Sequence, residues 1–255
     1  MTAELDMPWL REQLSDFDEP LVFASVSGAH LYGFASEDSD VDIRGAHLLP
    51  TAEIVGLQDV EVTRDFIDVR DGIEFDLVSH ELEKFLRLLL DRNAIALEQV
   101  FSPHVVEEDG SLERLRELAT RCITRNHFHH YNGFARSQWA LHIETGGLKP
   151  LLYCYRAYLT GIHLMSTSEV EANLERLARE YEEPLVLDLI REKRAGHEKM
   201  EAPGNAIEFQ EIRDRLKVGL QQGFEASRLP EAPEHGALEG LSDVLVERRL
   251  GYLER

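Results

Sequence analysis

The chain has 255 residues, 43% of them hydrophobic and 29% charged, an ordinary globular composition with enough length for one large domain or two small ones. Forty-eight acidic against 27 basic side chains leave a formal charge of -21, so the average surface repels phosphate backbones and anionic membranes, and any nucleic acid must meet a local basic patch. Cys122 and Cys154 form neither a CxxC pair nor a disulfide framework, the N-terminus is acidic and broken by Pro8 and Pro20, and no apolar run approaches about eighteen residues, which together predict a soluble cytoplasmic protein that does not engage a membrane.

After a short polar or helical lead, LVFASVS at 21–27 is apolar and β-branched enough for a strand that runs into Gly28. AHLYGF needs a turn or short helix before the acidic loop ASEDS. In DVDIRGAHLLP, Asp40 and Asp42 alternate with Val41 and Ile43, the period-two pattern of a half-buried strand, stopped at Pro50. Residues 59–72 hold one or two short alternating segments, with Asp71-Gly72 suited to a hairpin turn. IEFDLVS follows as a strand with Ile73, Phe75 and Leu77 on one face and Glu74 and Asp76 on the other. Ser79 suits the cap of a helix beginning near Glu81, where Leu82, Phe85, Leu86 and Leu89 recur at helical spacing.

Beyond Pro103 the texture turns helical. The pattern predicts one long helix from Leu112 through Trp139 to Ile143, ending at Gly146-Gly147, and another over PLLYCYRAYLTGIHLM with Pro150 in its first turn. A third starts at a capping box from Ser168 to Glu171, a fourth covers EIRDRLKVGLQQGF, and LSDVLVERRLGYLE closes the chain. EAPGNA at 201–206 and LPEAPEHGALEG at 229–240 are expected as exposed loops, and REYEEP and REKRAGHEK as solvated helix faces.

Three features point to one chemistry. Gly28 offers a turn, Asp40-Val41-Asp42 follows after a gap of residues 29–39, and Asp76 lies on a later strand. Two divalent ions roughly 4 Å apart need several hard oxygen ligands, which two neighbouring carboxylates and a third can supply, while backbone N–H groups at a glycine turn cradle phosphate oxygens. The acid pair alone also suits a solvated turn, but the glycine spacing and Asp76 favour metal. Asp68, Asp71 and Glu74 are the other acids near enough in sequence to take the place of Asp76. Arg44 either pairs with Glu37 or Asp38 or contacts nucleotide. His127, His129 and His130 lack the HExxH or cysteine spacing of a zinc site and are expected to be structural or on the surface. Tyr153, Tyr155 and Tyr158 suit a core as readily as a base-stacking platform.

SGAHLYGFASEDSDVDIRG resembles the nucleotidyltransferase superfamily of DNA polymerase beta, whose signature is an apolar strand, Gly-Gly or Gly-Ser, a gap of about ten residues and Asp-x-Asp or Asp-x-Glu. More narrowly, it resembles a group of predicted bacterial and phage nucleotidyltransferases with the core SGS-x-x-YG…SD-x-D-x-RG, matched here by Ser27, Gly28, Tyr32, Gly33, Ser39, Asp40, Asp42, Arg44 and Gly45. The chain departs from it at Ala29, where the family usually has serine. The resemblance implies an α+β fold. A small mixed β-sheet nucleotidyltransferase domain with flanking helices would span 1–105, and a helical domain over 106–255 would form a wall of the cleft.

It further implies Asp40, Asp42 and Asp76 as ligands of two Mg²⁺ or Mn²⁺ ions, with Asp76 placed to help deprotonate the acceptor hydroxyl. Ser27 and Gly28 would lie at the phosphates. Among basic residues that could reach the triphosphate from the helical part, Lys149 and Arg156 lead, with Arg136 behind them. The activity implied is transfer of a nucleoside monophosphate from an NTP, with ATP as the default, to an acceptor hydroxyl with release of pyrophosphate. The acceptor is a small molecule, a protein or an RNA 3′ end, and the acidic charge leaves RNA possible but not preferred. The competing reading is a catalytically idle nucleotide-binding or partner-binding module of the same fold.

Overall fold

The computed structural model describes residues 5–70, 72–197 and 199–253. Asp71, one half of the expected hairpin turn, lies outside the described residues. The chain is mixed α+β with a five-stranded mixed sheet. It divides into two compact units, one comprising residues 5–27, 40–122 and 233–253, the other 28–39 and 123–232. These units are not two continuous spans divided near residue 105.

The first unit is built on the sheet, with α3 (Thr51–Ile54) and α5 (Ala94–Val100) among its helices. Its strands β1 (Leu21–Val26), β2 (Val41–His47), β3 (Thr63–Arg70), β4 (Ile73–Glu81) and β5 (Val105–Glu108) stand in the order β3-β4-β2-β1-β5. β2 and β4 run parallel and the other neighbours antiparallel. The alternation of apolar residues fixes the first core layer: Ala24, Val26, Val41, Ile43, Phe75, Leu77 and Val106 are buried with Leu10 and Leu14 of α1 (Met7–Leu14). Phe23, alternating with Ala24, meets Phe85 of α4 (Leu82–Leu90) with ring centroids 5.1 Å apart. Asp6 caps α1, its Oδ1 accepting from the Trp9 amide at 3.0 Å.

Three expectations change here. Ser79 does not cap α4, because β4 continues to Glu81, whose own carboxylate accepts from the Glu83 amide at 2.8 Å. Ser79 Oγ lies 2.8 Å from His47 Nδ1 instead. β5, a four-residue edge strand with no clear alternation, was not expected and pairs with β1. The long helix predicted from Leu112 to Ile143 is two helices, α6 (Leu112–Cys122) and α7 (His127–Thr145), the first in the sheet unit and the second in the helical one. The break at 123–126 is held by backbone partners outside a helix: the Arg125 amide donates to Pro230 O at 2.9 Å, and Asn126 Nδ2 donates to Glu231 O at 2.7 Å. In the sheet unit α12 (Ala237–Leu253) is tied down by Arg249, which donates to the buried Glu81 carboxylate at 2.8 Å.

The helical unit is organised by α8 (Leu148–Thr167), most of whose residues are buried. α7 enters it through Gly146, whose left-handed backbone (φ 67°) ends the helix as a C-terminal cap. Gly161 of α8 lets α11 (Ala206–Ala226) approach closely, since a Cβ there would lie 2.8 Å from Leu220 Cδ1. Ser168 is the left-handed cap that ends α8 (φ 66°) and not the start of a helix. α9 (Leu174–Glu180) starts at Asn173, whose side chain accepts from the Arg176 amide. α10 (Pro184–Ala195), with proline in its first turn, was not expected, although its last turn lies in the REKRAGHEK run.

Residues 28–39 also belong to the helical unit. They form the five-residue α2 (Gly28–Tyr32) and a following loop. The Tyr32 ring packs edge-on against Tyr153 of α8 at 5.4 Å, and Phe34 is fully buried. Lys193 of α10 is 0% exposed and donates to Ser36 Oγ at 2.8 Å, while Arg194 donates to the Gly33 carbonyl and pairs with Glu175. Lys193 therefore does not lie on a solvated face as its charge run suggested.

Candidate functional site

The chemistry predicted from sequence is concentrated where β2 and β4 run side by side. Their parallel register pairs Val41 with Phe75, Asp42 with Asp76 and Ile43 with Leu77. The apolar members of both strands point into the core, so the period of two turns Asp42 and Asp76 to the opposite face as direct neighbours, about 4.8 Å apart in the hydrogen-bonding direction. Both carboxylates keep partial access, with side chains 22% and 25% exposed. Such a carboxylate pair is self-repelling unless a cation shares it.

Arg44 supplies that cation. It lies two residues after Asp42, and Nη2 donates to Asp42 Oδ1 and to Asp76 Oδ2, each at 2.8 Å. Nη1 donates to the carbonyl oxygens of Ile43 and Asp76, also at 2.8 Å each. The expected pairing with Glu37 or Asp38 is thus replaced by a bridge across the two strands. Sequence reasoning missed it because the partner Asp76 becomes adjacent only through the β2–β4 register.

The end of β1 is fixed against the same place. The Ser27 amide donates to Asp42 O at 2.8 Å, Ser102 Oγ donates to Val26 O at 2.9 Å, and Ser25 Oγ donates to Gln99 O at 2.9 Å. Ser27 is buried, and Gly28 follows it with φ 59°, a backbone that glycine adopts without steric cost. Gly45 allows the strands to close, since a Cβ there would lie 2.2 Å from Phe23 O. Asp40 is half-buried and immediately precedes β2. Of the rival acids, Asp68 pairs with Phe75 and Glu74 is exposed opposite Val69, so neither neighbours Asp42 in the register; Asp71 lies outside the described residues. Among the described residues no group of three or more His, Cys, Asp and Glu is arranged to hold a metal ion.

The basic candidates fall in the helical unit. Lys149 is half-buried in the first turn of α8. Arg156 is 1% exposed, its guanidinium carbon 3.8 Å from the centre of the Tyr32 ring, in an aromatic setting that includes Phe134 and Tyr153. Arg136 is exposed. Tyr155 and Tyr158 are core residues, with burial raising both phenols above their ordinary range. His127 is buried with Nδ1 3.0 Å from Thr124 O. In the sheet unit, burial lowers the His47 imidazole to about 4. Both cysteines are free and buried, and burial raises their thiols above the ordinary range.

Among the described residues no helix is long and apolar enough to cross a membrane. The chain is 34% identical over 159 residues to the uncharacterized protein MJ0002 of Methanocaldococcus jannaschii, covering 62% of this chain and 65% of that one. It is 31% identical over 137 residues to the uncharacterized protein YcgL of Bacillus subtilis, covering 53% and 52%. The matches thus span less than two thirds of either relative. A nucleotidyltransferase-like protein from Exiguobacterium sibiricum 255-15 aligns over 95% of this chain and 79% of its own at 11% identity and a TM-score of 0.33. The family model for RlaP, the RNA repair pathway DNA polymerase beta family, matches residues 6–247, and the chain belongs to that family, within the nucleotidyltransferases of the polymerase beta superfamily.

Proposed function

We propose that the protein transfers a nucleoside monophosphate from an NTP to an acceptor hydroxyl. The acceptor oxygen forms a bond to the α-phosphorus, the bond to the β-phosphate bridging oxygen breaks, and pyrophosphate leaves. The observation that carries this reading is the pairing of Asp42 with Asp76 across parallel strands, two hard oxygen donors that already share a single cationic nitrogen. Two carboxylates suit a divalent cation whose remaining ligands come from phosphate oxygens, and Asp40, two residues before Asp42, completes no three-acid cluster with them.

Divalent ions bound there would lower the pKa of the acceptor hydroxyl and neutralise charge on the triphosphate. The chain's own contributions follow from its residues. Asp42 and Asp76 would hold the cations, and Asp76 would help to take the acceptor proton. Ser27 and the left-handed backbone at Gly28 offer a turn that can approach phosphate oxygens closely. Of the two leading basic candidates, Lys149 is half-buried in the first turn of α8 and Arg156 is engaged with aromatic rings. The family's description names an RNA repair pathway, which favours an RNA 3′ end over a small molecule or a protein as acceptor. With a net charge of -21, such an RNA has to be gripped near its end and not along a long backbone.

Ala29, where the resembling group has serine, supports the second reading of an idle module that binds nucleotide or a partner without turnover. Incubation with each α-labelled NTP, Mg²⁺ or Mn²⁺, and RNA, protein or metabolite pools separates the two. Label entering the RNA pool with the native protein but not with Asp42→Asn is the expected result. NTP binding without transfer to any pool favours the idle module.

A further inference from the structure

We infer that Arg44 is a built-in counter-cation of the Asp42–Asp76 pair, which competes with the divalent ion and so sets the metal concentration at which the site loads. The inference rests on the nucleotidyltransferase reading and adds a regulatory residue to it. Nη2 lies at 2.8 Å from both Asp42 Oδ1 and Asp76 Oδ2. A magnesium ion coordinates carboxylate oxygens at about 2.0–2.1 Å, so an ion bridging those two oxygens overlaps the volume that Nη2 occupies. An ion held by the other two carboxylate oxygens escapes the overlap but still faces a guanidinium charge a few ångströms away. In both arrangements the cation and this Arg44 conformation oppose each other.

The geometry is also more than a surface ion pair. The two bonds from Nη1 to the carbonyl oxygens of Ile43 and Asp76, each 2.8 Å, orient the guanidinium independently of the carboxylates. The Arg44 side chain is 21% exposed, so its charge is only partly screened by water. Four directed bonds from one side chain hold neighbouring carboxylates of two parallel strands in place without metal. Arg44 is therefore a positioning residue: it keeps the two carboxylates together in the ion-free protein and yields them when an ion arrives.

The test is calorimetric titration of the full chain with Mn²⁺ alone, beside Arg44→Gln, Arg44→Lys and an Asp42→Asn/Asp76→Asn variant, with a thermal melt of each in EDTA. Arg44→Gln is expected to melt lower than the native chain without metal, yet to bind Mn²⁺ roughly tenfold more tightly, because the competing charge is gone. Arg44→Lys keeps the charge but cannot span two carboxylates and two carbonyls. It is expected to bind Mn²⁺ about twofold more tightly than the native chain, and it carries the test if Arg44→Gln does not fold. A merely structural arginine would lower the melting temperature without tightening Mn²⁺ binding. If Arg44→Gln binds Mn²⁺ no more tightly than the native chain while the double aspartate variant has lost binding, the Arg44 role is overturned and the metal site stands. If the double aspartate variant binds Mn²⁺ like the native chain, or neither the native chain nor any variant binds it, the metal reading falls and the Arg44 inference with it.

Discussion

Gly45→Ala tests whether the motif glycine after Arg44 serves packing more than chemistry. The added Cβ would sit 2.2 Å from Phe23 O and 3.0 Å from Ala24 Cα, both backbone atoms of β1. A relaxed carbon contact is about 3.5 Å or longer, so β1 has to retreat by roughly 1 Å along a line where Phe23 and Ala24 are fully buried. Overpacking of this kind costs about 3 kcal/mol, because a backbone cannot swing aside as a side chain end can. The loss of unfolded-state freedom on replacing glycine returns about 0.4–1 kcal/mol, leaving a net destabilisation near 2 kcal/mol. For a chain of this size, that lowers the melting temperature by roughly 4–8 °C. The same retreat pulls the Ser27 amide from Asp42 O, now 2.8 Å away, so transfer activity is expected to fall further than the melt alone explains. Thermal unfolding followed by circular dichroism, with activity measured well below the transition, checks both parts. A melting temperature within about 1 °C of the native chain would refute the close-approach argument.

Other consequences follow from named contacts. Asp42→Asn and Asp76→Asn each remove one hard donor and are expected to reduce transfer by at least about a hundredfold in a labelled-NTP assay while far-UV circular dichroism stays native. Because burial lowers His47 from 6.5 to about 4, its imidazole is neutral in the fold at neutral pH. Its contribution to stability is present in full above pH 6.5 and is lost as pH falls from 6.5 towards 4, a decline of about 3 kcal/mol that His47→Gln flattens in urea titrations across that range. Lys193→Ala empties a fully buried site and removes the Lys193 bond to Ser36 Oγ, leaving that hydroxyl its contact with Ser39 Oγ, which is expected to cost about 2–4 kcal/mol and to speed limited proteolysis within residues 33–39. Lys193→Met, which retains most of the volume, is expected to recover much of that loss in chemical denaturation.

What the sequence determined is what depends on near neighbours. The apolar, β-branched run at 21–27 and the alternation over 40–46 and 73–79 marked β1, β2 and β4, because a buried strand needs only a short apolar run and a half-buried one only a period of two. The spacing of Gly28, Asp40 and Asp42 pointed to the superfamily for the same reason: a turn and an acidic strand are local devices. The α+β class and the abundance of helix beyond Pro103 were equally legible.

Tertiary structure decided whatever depends on partners distant in sequence. β5 exists because β1 presents an edge to it; its four residues carry no pattern of their own. Residues 123–126 leave the helix because Pro230 and Glu231 supply carbonyl acceptors about a hundred residues away. Ser168 has the composition of an N-cap, but a residue that tolerates a left-handed backbone also ends a helix, and only the packed chain distinguishes the two uses. Lys193 reads as one charge in a solvated run until the fold brings Ser36 to it. Asp76, and not Glu74 or Asp68, becomes the neighbour of Asp42 through the register of β2 and β4, and that alignment also set the partners of Arg44. A periodic pattern assigns a side chain to a face; the register between strands, fixed by the whole core, assigns its neighbour.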